Sequence, residues 1–350
     1  MTETNSLSRL GWSPFFQQQL TLEEWDTCSP ARVVAQHRSH IELICERDKH
    51  QLALTVDMPS FSTGDWVLLD SQRGFQRLLD RQSLFSRKAS GSKLASQLIA
   101  ANIDTVFITC SLNDNFSLNR IERYLALARE AGTEAVVVLT KSDLCADPLY
   151  RVRQVQALDP LLMVVAVNSL DSNSTKALEP WCQTGKTVAL LGSSGVGKST
   201  LVNGLLGLSV QLTSPIRDAD SKGRHTTTAR SLHFMPSGAI LLDTPGMREL
   251  QIADCEQGVK ETFSDIGEWE AQCRYSDCQH QDEPGCAVQS AIKAGNLDER
   301  RLKSYTKLIR EQALNSASLA EKRSKERNLS RHIRAVQTQS RRRKKGGNTS

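Results

Sequence analysis

Residues 187–203 read TVALLGSSGVGKSTLVN. A short β-rich apolar run enters a glycine-rich turn, and the chain leaves it through a Lys-Ser-Thr that opens a helical pattern. The turn fits GxxxxGK[ST], with Gly192, Gly197, Lys198 and Ser199 at the fixed positions. A chance match is expected on the order of once in a hundred chains of this length, and less often with strand and helix in place. The chemistry is that of a phosphate cradle. Glycines let the backbone amides of Gly192, Ser193, Ser194, Gly195, Val196, Gly197, Lys198, Ser199 and Thr200 curl round a β-phosphate. Lys198 reaches the β- and γ-oxygens and the Ser199 hydroxyl ligates Mg²⁺.

The neighbouring motifs refine this. DTPG at 243–246 ends the run AILLD about 45 residues further on. There Asp243 would hold Mg²⁺ through water and the Gly246 amide would meet a γ-phosphate, although Pro-Gly is also an ordinary turn. TKSD at 140–143 follows the run EAVVVL. A carboxylate at a strand's carboxyl end, Asp143, accepts the N1–H and N2–H of guanine, which adenine lacks. Lys141 would pack its stem over the ring, Ser142 lies between them, and Thr140 replaces the Asn of the usual NKxD. The alternative is a charged surface turn. Asn168 and Ser169, after LMVVAV, offer a second base contact. Base reader before phosphate loop reverses the common order. Since all these contacts come from loops at one edge of a parallel sheet, chain order is free, and joining old termini while opening a loop elsewhere gives a circular permutation.

The rest of the 350-residue chain is long enough for two or three domains. From about 30 to 83 short alternating runs (ARVVAQ, IELICE, QLALTV, DWVLLD) predict a small antiparallel barrel or sandwich. From 104 to 243 near-continuous β-rich runs alternate with helical stretches, predicting a parallel sheet covered on both faces. In LNRIERYLALAREAG, Ile121, Leu125 and Ala128 mark the buried stripe and Gly132 the stop. After 254 helices should dominate, because no Gly or Pro occurs between Asn296 and Lys345. Three separate cores are expected, with the phosphate loop and the C-terminal segment in different ones.

Charge is uneven. The net +5 conceals residues 322–345, with eleven Lys or Arg and one Glu, which leaves about −5 on the remainder. Such a tail fits a polyanionic partner or a solvated terminus. No apolar run is long enough for a bilayer and the first residues lack the order of a signal peptide, so a soluble, cytoplasmic protein without a membrane partner is expected. Nine cysteines without regular spacing form no disulfide framework. Three of them join a histidine in C-x4-C-x-H-x5-C: Cys273, Cys278, His280 and Cys286. That set reads as one structural zinc, with no open position, or as reduced buried thiols.

The permuted motifs, GDWV at 64–67 and CRYSDCQHQDEPGC at 273–286 together resemble the ribosome small-subunit-dependent GTPase A family, bacterial ribosome biogenesis factors, over about residues 30–310. The resemblance implies an N-terminal extension (1–29), an OB-fold β-barrel contacting ribosomal RNA (30–88), and a circularly permuted α/β P-loop GTPase domain (89–253). A mainly helical zinc-binding domain (254–320) and a basic tail (321–350) follow. It further implies GTP hydrolysis to GDP with Mg²⁺, one zinc per chain, and the small ribosomal subunit with its 16S rRNA as partner of a monomer. Thr140, and NSL at 168–170 where the family shows Ser-Ala, depart from its pattern. Catalysis by the chain alone should be slow, because Met247 occupies the position after DTPG where Ras-like GTPases carry a water-orienting Gln. KGRHTTT at 222–228 supplies the other candidates: Thr226 or Thr227 for Mg²⁺, and His225, which the resemblance favours as the water-orienting group over an inert exposed histidine. Two further readings are an ATPase or nucleotide kinase, which has no use for TKSD, and an RNA-binding zinc protein with little turnover.

Overall fold

The computed structural model describes residues 6–46, 48–88, 96–207, 231–243 and 255–316. His225, Thr226, Thr227, Gly246, Met247 and the basic tail lie outside the described residues, and Asp243 is described through its backbone.

The N-terminal unit opens with two short helices, α1 (Pro14–Gln17) and α2 (Leu22–Thr27), the second closed by a capping box between Thr21 and Glu24. Five antiparallel strands follow: β1 (Ser29–Gln36), β2 (His40–Ile44), β3 (Lys49–Ala53), β4 (Trp66–Leu69) and β5 (Phe75–Leu78). Their order is β3-β2-β1-β4-β5. Register shifts at Val33/Ala35 and Leu68/Leu69 mark bulges of the kind that bend a sheet. The expected barrel is met as a curled antiparallel sheet: β3 and β5 do not pair among the described residues. One face buries Val33, Ile41, Leu43, Phe61 and Val67. The other is covered by Leu10 and Phe16, which pack on Trp66 and Leu68. Leu7, Leu10, Trp12, Phe15, Phe16 and Leu20 of the N-terminal segment therefore pack into this unit's core. Trp66–Leu69 is buried on both faces, which explains its unbroken apolar run.

A two-stranded pair, β6 (Leu84–Lys88) with β7 (Ser96–Ala101), leads into the central sheet. The expected boundary at 88/89 falls between these paired strands. The sheet comprises β8 (Thr105–Ser111), β9 (Glu134–Thr140), β10 (Met163–Ala166), β11 (Thr187–Leu191), β12 (Ser231–Phe234) and β13 (Ile240–Asp243) in the order β10-β9-β8-β11-β13-β12, parallel except for β12. Helices α3 (Leu118–Glu130), α4 (Pro148–Gln156), α5 (Ser172–Thr175) and α6 (Lys198–Leu205) connect these strands. In α3 the predicted stripe of Ile121, Leu125 and Ala128 is buried, and Gly132 follows the helix at φ 73°. Ala35 pairs with Ser231, so β1 and β12 make the two sheets continuous. Arg32 fastens that junction, donating to the Leu10 and Asn102 carbonyls and, at 2.8 Å, to the Thr187 hydroxyl at the start of β11. Burial pulls its pKa down to about 10.

Helices α7 (Glu256–Thr262), α8 (Ser264–Glu270), α9 (Ala287–Lys293) and α10 (Glu299–Ser316) complete the described residues. The expectation of a separate core here is overturned. Val259, Phe263, Cys286 and Val288 share one apolar cluster with Leu125 and Ala128 of α3 and with Ile108 and Leu191 of the sheet. The sequence pattern concealed this because an α3 stripe wide enough for the sheet alone and one serving two neighbours look alike. At the α3–α7 crossing, a Cβ on Gly258 would run into the Ala126 carbonyl and come within 2.8 Å of the Glu130 amide. Gly258→Ala is therefore expected to destabilise the protein by about 1–3 kcal/mol, the usual cost of overpacking. Thermal unfolding checks it, and an unchanged Tm would show that the helices can separate freely.

Candidate nucleotide and metal sites

The parallel strands end at one edge, and the loops leaving β9, β10 and β11 meet there. Gly192 leaves β11 with φ 152°, and a Cβ on it would overlap the Thr109 carbonyl of β8. Gly195 and Gly197 adopt φ 78° and 92°, in the left-handed region that favours glycine. They turn the chain and deliver it to α6 at Lys198. Its ammonium is buried, donating to the Gly192 carbonyl at 2.6 Å and to that of Ser193. Ser193 is half-buried, Ser194 exposed, and Ser199 and Thr200 lie in the first turn of α6.

TKSD grips this loop. The Thr140 hydroxyl, fully buried, donates to the Val196 carbonyl at 2.5 Å, and Lys141, in the left-handed conformation, donates through Nζ to the Gly195 carbonyl at 3.0 Å. Thr140 therefore supplies a loop-holding hydrogen bond from the position where NKxD carries Asn, a role sequence reading did not assign to it. Ser142 and Asp143 form a 3-10 turn that leaves Asp143 exposed. The Ser142 amide donates to the Val167 carbonyl at 3.3 Å, drawing the β9 and β10 loops together. The Asn168 amide donates to the Ser174 hydroxyl and its side-chain oxygen accepts from the Leu170 amide, while the buried Ser169 hydroxyl has no hydrogen-bond partner among the described residues. Asp243 ends β13, the neighbour of β11. Phosphate, base and Mg²⁺ candidates from distant parts of the chain thus share one sheet edge.

The Cys/His set also comes together. The ligand atoms of Cys273, Cys278, His280 and Cys286 all lie within 4.8 Å of one another. Cys273 and Cys286 Sγ are 4.0 Å apart, and His280 Nδ1 lies 3.7 and 3.6 Å from them. Tetrahedral zinc with Zn–S of about 2.3 Å and Zn–N of about 2.0–2.1 Å needs edges of roughly 3.5–3.8 Å, so the set fits. His280 Nε2 faces Glu270 Oε1 at 2.8 Å, and Tyr305 donates to Oε2 of the same carboxylate at 3.2 Å. A carboxylate holding the far nitrogen fixes the tautomer that leaves Nδ1 available to a metal. Sequence reading missed Glu270; nothing in its spacing sets it apart from other helical glutamates. A second group, His37, His40 and Glu42, lies on the β1–β2 hairpin. Its ligand atoms also lie within 4.8 Å of one another, the two imidazoles stack at 4.4 Å, and His37 Nε2 meets Glu42 Oε1 at 3.2 Å.

A phosphate loop on the central strand, an NKxD-like loop two strands away and their reversed chain order define a circularly permuted P-loop GTPase. The RsgA GTPase family model matches residues 78–253. The chain is 57% identical over 333 residues to "Small ribosomal subunit biogenesis GTPase RsgA 2" of Vibrio vulnificus, covering 95% of each protein. The crystal structure of YjeQ from Thermotoga maritima matches with TM-score 0.61 and 27% identity, over 81% of this chain and 98% of that one. YloQ, described as a circularly permuted GTPase, shares the fold at TM-score 0.58 and 21% identity, over 83% of this chain and 96% of its own. The chain belongs to the RsgA GTPase family and is a GTP hydrolase. Among the described residues no helix is long and apolar enough to cross a membrane.

Proposed function

We propose that this GTPase acts in the cytoplasm on the small ribosomal subunit during its maturation; its Vibrio relative is named a small ribosomal subunit biogenesis GTPase. The convergence of the β9, β10 and β11 loops carries the nucleotide part of this reading. In it, residues 89–253 are the G domain and 192–200 cradle the phosphates. Ser199, Asp243 and Thr226 or Thr227 would hold Mg²⁺, which neutralises phosphate charge when bound. Asp143 reads guanine with support from Asn168 and Ser169. The curled sheet at 30–88 serves as an OB-fold surface for 16S rRNA, and the tail at 321–350 adds charge. Residues 254–320 carry one structural zinc on Cys273, Cys278, His280 and Cys286, and the protein acts as a monomer.

Base selectivity is the direct test. Guanine nucleotides should bind at least tenfold more tightly than adenine nucleotides, a gap of about 1.4 kcal/mol. Asp143→Asn should narrow it, because an amide cannot accept both base donors. Equal affinities in the parent protein, measured by titration, would remove the guanine-reading assignment.

A further inference from the structure

Helix α3 carries three arginines, and two have carboxylate partners. Arg123 donates to Glu311 at 2.5 Å, and Arg129 pairs with Asp159. Arg120, one turn earlier, pairs with no carboxylate among the described residues. Its guanidinium instead donates to the Ser193 hydroxyl in the phosphate loop at 2.8 Å. A neutral hydroxyl does not balance a cation's charge, and a guanidinium has five N–H donors, so most of its capacity is not accounted for by this bond.

The position points to an anion. Lys198 rests its ammonium on the Gly192 and Ser193 carbonyls, and a phosphate-loop lysine addresses the β- and γ-oxygens of a nucleotide. Ser193 therefore holds Lys198 by its carbonyl and Arg120 by its hydroxyl, bringing two cations to the polyphosphate end of the cradle. Arginine in this setting supplies planar, multidentate recognition of phosphate oxygens.

The rigidity of α3's first turn makes the placement more than a surface accident. Asn119 and Glu122, on either side of Arg120, both accept from Arg300 of α10, at 2.6 and 3.0 Å. Glu122 is fully buried and also accepts from Arg301 at 3.0 Å. This clamp fixes the backbone from which Arg120 projects.

We infer that Arg120 is a phosphate-binding residue, a second cation supplied within the chain that favours nucleoside triphosphate over diphosphate, with the Glu122–Arg300 pair as its positioning device. The inference rests on the phosphate-loop reading and adds to it a residue outside the loop.

The test is equilibrium titration of the full-length, metal-loaded protein with fluorescent GDP and a non-hydrolysable GTP analogue, alongside thermal unfolding. Arg120→Ala should weaken the GTP analogue about tenfold, a typical loss for one charge-assisted contact, and GDP by less than threefold, with Tm unchanged. Arg120→Lys should recover part of the triphosphate preference because the charge remains. Arg300→Ala should shift the GTP analogue in the same direction by a smaller factor. Parental affinities in Arg120→Ala would overturn the assignment. So would an equal loss for both nucleotides with a lowered Tm, which would make Arg120 a structural brace. Lys198→Ala controls the underlying reading: if that variant still binds both nucleotides normally, the phosphate-loop assignment itself fails.

Discussion

If the proposed zinc occupies the Cys/His cluster, Cys278→Ala is expected to abolish its binding and to lower Tm by on the order of ten degrees or more, while also weakening nucleotide binding. Structural zinc contributes roughly 10–16 kcal/mol in small zinc-dependent folds, comparable with the whole stability of an ordinary domain of about 5–15 kcal/mol. The cluster sits between α8 and α9, on the irregular 273–286 segment. Cys286 caps α9 by accepting from the Gln289 amide, and Gln289 in turn donates to the His280 carbonyl at 2.6 Å. Losing the metal releases both of these anchors. The effect then spreads, because Val288 of α9 lies in the same apolar cluster as Leu191, the last residue before the phosphate loop. Metal content, calorimetry and nucleotide titration on one preparation read all three effects. A variant that unfolds its C-terminal helices yet binds nucleotide normally would show that the shared core transmits nothing.

That coupling was not legible in the sequence. The phosphate loop, the parallel sheet and the permutation were, because each rests on local pattern: glycines at positive φ, β-rich runs buried on both faces, motifs at strand ends. The Cys/His set was legible for the same reason. Thr140, Arg120 and Glu270 were not, because their roles depend on contacts with residues 56, 73 and 10 positions away. The packing of the N-terminal segment was not legible for a related cause. Leu10, Phe16 and Trp12 are scattered over a short irregular stretch without a repeating period, and Trp66 and Leu68 across the sheet give them a common surface.

Hydrolysis should show the largest effect. In the proposed reading the ground-state cradle is preformed: Lys141 and Thr140 hold the loop at Gly195 and Val196, and the Lys198 ammonium rests on the Gly192 carbonyl. A preformed cradle that holds substrate and transition state alike leaves the chemical step slow. What the sequence lacks is a water-orienting group after DTPG, since Met247 has no hydrogen-bond donor to offer. The expected result is tight GTP binding with slow turnover by the protein alone, rising about a hundredfold or more when purified small ribosomal subunits are added. Raising salt should diminish the stimulation by screening phosphate contacts of the basic tail and N-terminal sheet. His225, in KGRHTTT, is the chain's own candidate for orienting the water. His225→Ala should remove most of the stimulated rate and leave GTP affinity unchanged, the signature of an interaction made only in the transition state. A His225→Ala protein stimulated as strongly as the parent would exclude that histidine and transfer the water-orienting role to the subunit. An absence of stimulation in the parent protein would instead remove the subunit as the activating partner.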